Sequence, residues 1–177
     1  ILDDSHFPTG YANGRIKSDY PQYLKKYLDM RRYDVQGPLR RARIDFSLLK
    51  GRPWDKPDPE QEILKVLLAK RISQRTEKRD PVIAESICDI TEQMNRESRL
   101  LTLDVPEGAW SIFVVYLTKK GGEQATQDYL NPLVREATEV LIREVYEPHY
   151  AHYKEEFGKT IQGFFSDEPR SVSYTHL

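Results

Sequence analysis

Residues 130–169 read LNPLVREATEVLIREVYEPHYAHYKEEFGKTIQGFFSDEP, and this stretch decides which fold the sequence predicts. Its apolar side chains recur at helical spacing, which predicts a helix with one buried face made of Leu133, Val134, Ala137, Val140, Leu141 and Val145. Pro148 is expected to kink or split that helix, and Gly158 to end it. The next residues, GFF, form a short apolar strand that ends in two acids and a proline. A helix that leads into a buried strand is the repeat unit of an α/β fold.

The start of the chain shows a second strand end of the same kind. Ile1 and Leu2 are apolar, and DDSHFPTGYANG follows as a loop over residues 3–14. Pro21 then predicts the start of a helix that ends between residues 33 and 37. These two stretches predict two segments of an α/β barrel, residues 1–37 and 123–171.

Residues 38–122 predict an antiparallel β module inserted between those segments. Apolar and polar residues alternate over 41–47, which is typical of a half-buried strand. A tight turn is predicted at Pro106–Gly108, between two further strands. The remaining predicted strands are ILKVLLAKRI and SICDIT. The predicted fold class is therefore α/β, a partial (β/α)8 (TIM) barrel with an inserted antiparallel β module.

The composition narrows the possible functions. The formal net charge is −1, so the chain lacks the one-signed basic surface that nucleic acid binding needs. No apolar run approaches the roughly 18 residues of a membrane span, so we expect no membrane partner. Cys88 is the single cysteine, which rules out an intramolecular disulfide and favours the cytoplasm.

Metal and cofactor motifs are not evident in the sequence. It has no glycine-rich phosphate loop and no cysteine–metal spacing, so we expect no cofactor and no metal. His149, His152 and Glu155 are spaced so that two of them could share a helix face. A solvated helix surface explains these three residues better than a zinc site does.

The last six residues, VSYTHL at 172–177, resemble one reading frame of a sequencing-library adapter. We therefore expect this tail to be an artefact. We also expect the chain to be an incomplete piece, with further domains in the full-length protein.

Two acidic clusters follow the predicted strand ends, Asp3-Asp4 and Asp167-Glu168. Glycoside hydrolysis needs two carboxyl groups that flank the scissile bond, one of them protonated. Glu168 lies between an apolar strand and a proline, and such surroundings raise a carboxyl pKa. The same residues also suit ordinary loops, in which acids bond their own backbone amides.

The motifs DDSHFPTGYANG, VPEGAW and GFFSDEP together resemble a family of bacterial glycoside hydrolases similar to the α-L-rhamnosidase-type (β/α)-barrel enzymes. The resemblance implies a carbohydrate substrate and Glu168 as general acid or base, with Asp167 orienting it or binding a hydroxyl. It also implies a sugar-binding set made of Asp3, Asp4, His6, Thr9, Asn13 and Phe165. The second catalytic carboxylate is not assigned.

A rival hypothesis comes from a different functional class. The chain could be a non-catalytic carbohydrate-binding or structural module, in which Trp54 and Trp110 stack on sugar rings. Trp110 opens a predicted strand, so a place in the core is the better interpretation of that ring.

Overall fold

The computed structural model describes residues 2–3, 10–47, 49–50, 58–72, 81–121 and 127–166. The chain forms two compact units, Ile1–Tyr27 with Lys119–Leu177 and Leu28–Thr118. The strands are β1 (Leu2–Asp3), β2 (Tyr27–Asp45), β3 (Glu62–Lys70), β4 (Cys88–Asp89), β5 (Met94–Asn95), β6 (Leu100–Thr118) and β7 (Phe164–Phe165). The α-helices are α1 (Arg15–Asp19), α2 (Arg135–Leu141) and α3 (Glu147–Tyr153).

The unit Leu28–Thr118 is an antiparallel sheet with the strand order β2-β6-β3-β4, and β5 also pairs with β6. The central strand β6 pairs with β3 over most of its second half, with Val66 opposite Val114. Every second residue of that half is buried, which is the pattern of a strand with one core face. The core of the sheet is formed by Phe46, Leu49, Ile63, Val66, Leu68, Ile90, Met94, Leu101, Leu103, Val105, Ile112, Val114 and Tyr116.

A charged cluster lies on the other face of β6. Ser111 precedes the core residue Ile112 and is fully buried. Its hydroxyl donates to Asp34 Oδ1 at 2.7 Å, and Arg71 donates to Asp34 Oδ2 at 3.1 Å. Arg32 Nε also donates to Asp34 Oδ1, at 2.8 Å. Burial raises the pKa of the Asp34 carboxyl, but these donors more than offset it and hold the pKa below its ordinary value.

We expect Asp34→Asn to destabilise the sheet unit. The Arg71 side chain is only 2% exposed, so the substitution removes an anionic partner from a buried guanidinium. Breaking a fully buried pair costs roughly 3–5 kcal/mol, and about 2 kcal/mol is expected here because Asp34 keeps 22% exposure. Urea unfolding of both proteins at neutral pH measures this difference. A free energy of unfolding equal to that of the wild type would contradict the role of Asp34.

The same substitution is expected to flatten the acid limb of the stability curve. Because the folded-state pKa of Asp34 is lowered, its contribution is complete above the unfolded pKa of about 3.9 and is lost as the pH falls through the folded value. The difference in unfolding free energy between wild type and Asp34→Asn should therefore shrink below about pH 4.

The other unit is organised around helix α2 and its continuation. Ile16, Ala137, Val140 and Val145 are buried in its core. Between α2 and α3 lies one π-helical segment, Ile142–Tyr146. Pro148 lies near the start of α3, which continues directly from the π-helical segment, so the helix is not split there and the predicted kink stays a prediction. Proline lacks the N–H that a regular turn would use, and the irregular turn lies just before it. The predicted stop at Gly158 is confirmed, since its φ is 80°. Among the residues described, none of the helices has the length and apolar content that crossing a bilayer requires.

The predicted TIM barrel is wrong. A barrel needs parallel strands that alternate with helices, whereas β1 and β7 are the one parallel strand pair in the described ranges and most strands lie in the antiparallel sheet. The order of strand end, helix and strand end suggested the α/β repeat, but that repeat is not continued in these ranges.

Three local predictions are also wrong. The helix predicted from Pro21 is a single 3-10 turn, Pro21–Tyr23, after which the chain enters β2. The turn predicted at Pro106–Gly108 does not reverse the chain, because β6 runs through it. Leu133 is 93% exposed because it precedes the start of α2 at Arg135.

Candidate functional site

The two strand ends predicted to carry chemistry are neighbours. β1 and β7 pair in parallel, with Leu2 opposite Phe164 and Asp3 opposite Phe165. Paired strands lie about 4.8 Å apart, and parallel strands end at the same edge. The chain therefore leaves both strands at one edge, and the acidic residues follow within three positions of each end.

The structure places only part of the predicted site set. Phe165 and Asn13 are described with their side chains, and Asp3 by its backbone in β1. The other predicted residues lie outside the described residues: Asp4, His6, Thr9, Asp167 and Glu168.

Aromatic rings support β7 from one side. The Phe164 ring lies 4.7 Å from Tyr146 in an edge-on contact and 5.7 Å from Phe157, measured between ring centroids. Successive strand residues point to opposite faces, and Phe165 is 52% exposed. One phenylalanine therefore anchors the strand, and the next offers an exposed ring one residue before the segment that leads to the acids.

The histidines of the helical segment pack against aromatic rings. His149 lies 5.9 Å from the Phe164 ring, and His152 lies 4.5 Å from the Tyr153 ring. Within the described ranges, no three His, Cys, Asp or Glu side chains are grouped closely enough to hold a metal ion. His149 thus contributes to the support of β7.

The loop before α1 has an unusual backbone. Gly10, Ala12, Asn13 and Gly14 all have φ between 47° and 91°, which is the left-handed region. Asparagine and glycine tolerate that region, but an alanine there costs roughly 1–2 kcal/mol. Ala12 is buried and Asn13 is exposed at the start of α1. Asn13 is therefore a turn residue in this structure, and its predicted contact with sugar stays a prediction.

A buried lysine missed by the sequence reasoning supports the same loop. Lys25 is 5% exposed, and its Nζ lies 4.9 Å from the Tyr27 ring centroid and 5.1 Å from that of Tyr129. Such placement over two rings is a cation–π arrangement, and burial lowers the pKa of Lys25. Its backbone N–H donates to Tyr129 O at 2.8 Å, and Leu130 N donates to Gly10 O at 3.0 Å.

The signal for this lysine was present in the sequence as Tyr23, Lys25 and Tyr27. These three residues lie in the helix predicted from Pro21, on which a lysine would face solvent. In the structure, the Lys25 ammonium is a fixed cationic group. Its backbone is connected to the loop at Gly10 by two hydrogen bonds, from Lys25 N to Tyr129 O and from Leu130 N to Gly10 O.

No protein-family model, no curated protein and no solved structure matches the chain. The interpretation of the site therefore rests on its own residues.

Proposed function

We propose that this chain carries the acidic site of a glycoside hydrolase, which cleaves glycosidic bonds of oligo- or polysaccharides by carboxylate general acid/base catalysis. The observation that supports the proposal is the parallel pairing of β1 with β7. It brings the segments with Asp3-Asp4 and Asp167-Glu168 out of the sheet at one edge.

The spacing of these strands suits the chemistry. The two catalytic carboxyl groups of a glycosidase lie about 5–5.5 Å apart in retaining enzymes and about 6.5–9.5 Å apart in inverting ones. Neighbouring parallel strands lie about 4.8 Å apart, which is comparable to the separation of the carboxyl groups in retaining enzymes.

Five of the predicted residues have a named role in this proposal. Glu168 protonates the leaving oxygen or activates water, and Asp167 orients Glu168 or binds a hydroxyl. Asp4 and His6 line the sugar subsite. The exposed ring of Phe165 can stack on the C–H face of a sugar, since it is half exposed while Phe164 anchors the strand.

The proposal is tested by the release of aglycone from a panel of aryl glycosides, with α-L-rhamnosides first. The protein is expressed from the complete gene, and turnover of at least one glycoside is expected. If the protein binds glycans and turns over none of them, it is a carbohydrate-binding module and the hydrolase proposal fails. If it neither binds nor cleaves any glycan, both hypotheses fail.

A further inference from the structure

The sheet unit has a cleft at the start of β3, beside the turn between β5 and β6. Its volume is about 180 Å3, and it is lined by Gln61, Glu62, Ile63, Met94, Arg96 and Arg99. Ile63 is 7% exposed and Met94 is 6% exposed, so the inner wall is apolar. At about 30 Å3 per water molecule, the cleft has room for about six waters. That is the space of one small ring.

Arg99 is held rigidly at this cleft. Its guanidinium donates to Gln61 O at 2.7 Å and to Gln61 Oε1 at 3.4 Å. A guanidinium has five N–H donors, so three remain for a ligand. Gln61 is 5% exposed, and it therefore fixes the arginine from the protein side.

The backbone of Arg99 is also unusual. Its φ is 54°, in the region where glycine or asparagine is normal and other residues cost roughly 1–2 kcal/mol. Strain of this kind is concentrated at functional positions. Glycine would suit the backbone of this turn better, but only a long side chain can make the two contacts with Gln61.

Arg96 supplies a second guanidinium at the rim. Its side chain is 66% exposed and pairs with Glu92 at 3.9 Å, where the glutamate is 94% exposed. A long and exposed pair of this kind contributes little, so Arg96 can turn towards a ligand. The turn that carries it is fixed, because Ser98 N donates to Asn95 Oδ1 at 2.8 Å.

The charges around the cleft indicate the kind of anion that would fit. Two arginines face two carboxylates, Glu62 on the wall and Glu92 at the rim. This near balance disfavours a dianion such as phosphate and suits a single carboxylate. Glu62 can in addition accept hydrogen bonds from hydroxyl groups.

We propose that this cleft binds the carboxylate of an acidic sugar, one uronic acid residue of a glycan. Arg99 and Arg96 hold the carboxylate, for which the planar guanidinium fork is well matched. Glu62 accepts from the sugar hydroxyls, and Ile63 and Met94 contact the C–H face of the ring. This inference rests on the proposed function only in choosing a sugar acid among carboxylates.

The test is a titration of the 177-residue chain with D-glucuronate and D-galacturonate, followed by NMR of the backbone amides. Saturable shifts around Arg99 are expected with at least one uronate. Glucose and inorganic phosphate are expected to bind at least tenfold more weakly. Binding of glucose or phosphate as tight as that of the uronate overturns the proposal, and so does the lack of binding by either uronate.

Two variants and a matched control sharpen this test. Arg99→Gly keeps the turn, because glycine adopts the left-handed backbone freely, and should weaken uronate binding at least tenfold with a folded spectrum. Arg96→Gln should weaken it severalfold. Arg40→Gln removes an exposed arginine of β2 that does not line the cleft and should leave binding unchanged. Equal affinity in all three variants overturns the assignment.

The result is separable from the hydrolase proposal. Aglycone release without uronate binding refutes the cleft alone. Uronate binding without any turnover refutes the hydrolase alone.

Discussion

Replacing Glu168 by Gln is expected to lower the turnover of aryl glycosides by roughly 10²–10⁴-fold, the range that general acid–base catalysis contributes. Glutamine has nearly the same shape as glutamate but cannot give or take the proton. The measurement is the release of phenol from phenyl glycosides, whose poor leaving group needs protonation, by the protein from the complete gene, with its folded state checked by its melting temperature. Near-normal turnover in the variant would remove Glu168 from the mechanism.

The leaving group separates a general acid from a residue with a merely structural role. A nitrophenolate departs without help, whereas a sugar or alkyl leaving group needs protonation. If Glu168 is the acid, the loss in Glu168→Gln should be much larger for poor leaving groups than for nitrophenyl glycosides. A loss that is the same for every leaving group contradicts the acid role. Glu155→Gln, an exposed residue of the same unit, is the control and should keep full turnover.

The local periodicities of the sequence predicted several elements correctly. The alternation over residues 41–47 overlaps the end of β2 up to Asp45, and the apolar run ILKVLLAKRI overlaps β3 over residues 63–70. The helical period after residue 134 and the strand at Phe164 were also correct. In each case, the pattern arises because one face of the element packs inward. The spacing of the inward-facing residues can then be read from residues that are close together in the sequence.

The elements that were missed depend on partners far along the chain. Residues 27–33 read YLDMRRY and suit a helix or a strand equally well. Pairing with β6 decides for the strand: Tyr116 donates to Asp29, and Arg41 N donates to Asp104. No local period contains that information, and the acceptance of Pro106 within β6 depends on the same pairing.

The candidate site was likewise predictable only where local sequence carries the information. The acidic strand ends could be located from the sequence, because apolar stubs precede them. Their closeness could not be derived from spacing, since Leu2 and Phe164 lie near opposite ends of the described chain. The predicted barrel brought them together for the wrong reason. The structure brings them together through a single parallel pair.

The pairing of β2 with β6 leads to the largest expected effect on stability, that of Gly37→Ala. A Cβ atom on Gly37 would lie 1.9 Å from the backbone oxygen of Pro106 and 2.8 Å from its carbonyl carbon. Both obstacles are backbone atoms of the central strand, so no side chain can rotate away and the two strands must separate. We expect a loss of roughly 3 kcal/mol, the upper end of the usual cost of overpacking.

For a unit of the size of Leu28–Thr118, each kcal/mol shifts the melting temperature by about 4–8 °C. Gly37→Ala should therefore lower the melting temperature of this unit by more than about 10 °C. Gly163→Ala is the matched control, because no atom of the described residues lies within 4 Å of a Cβ atom built there. It should melt within a few degrees of the wild type. If Gly37→Ala melts as Gly163→Ala does, then the two strands do not approach each other this closely at Pro106.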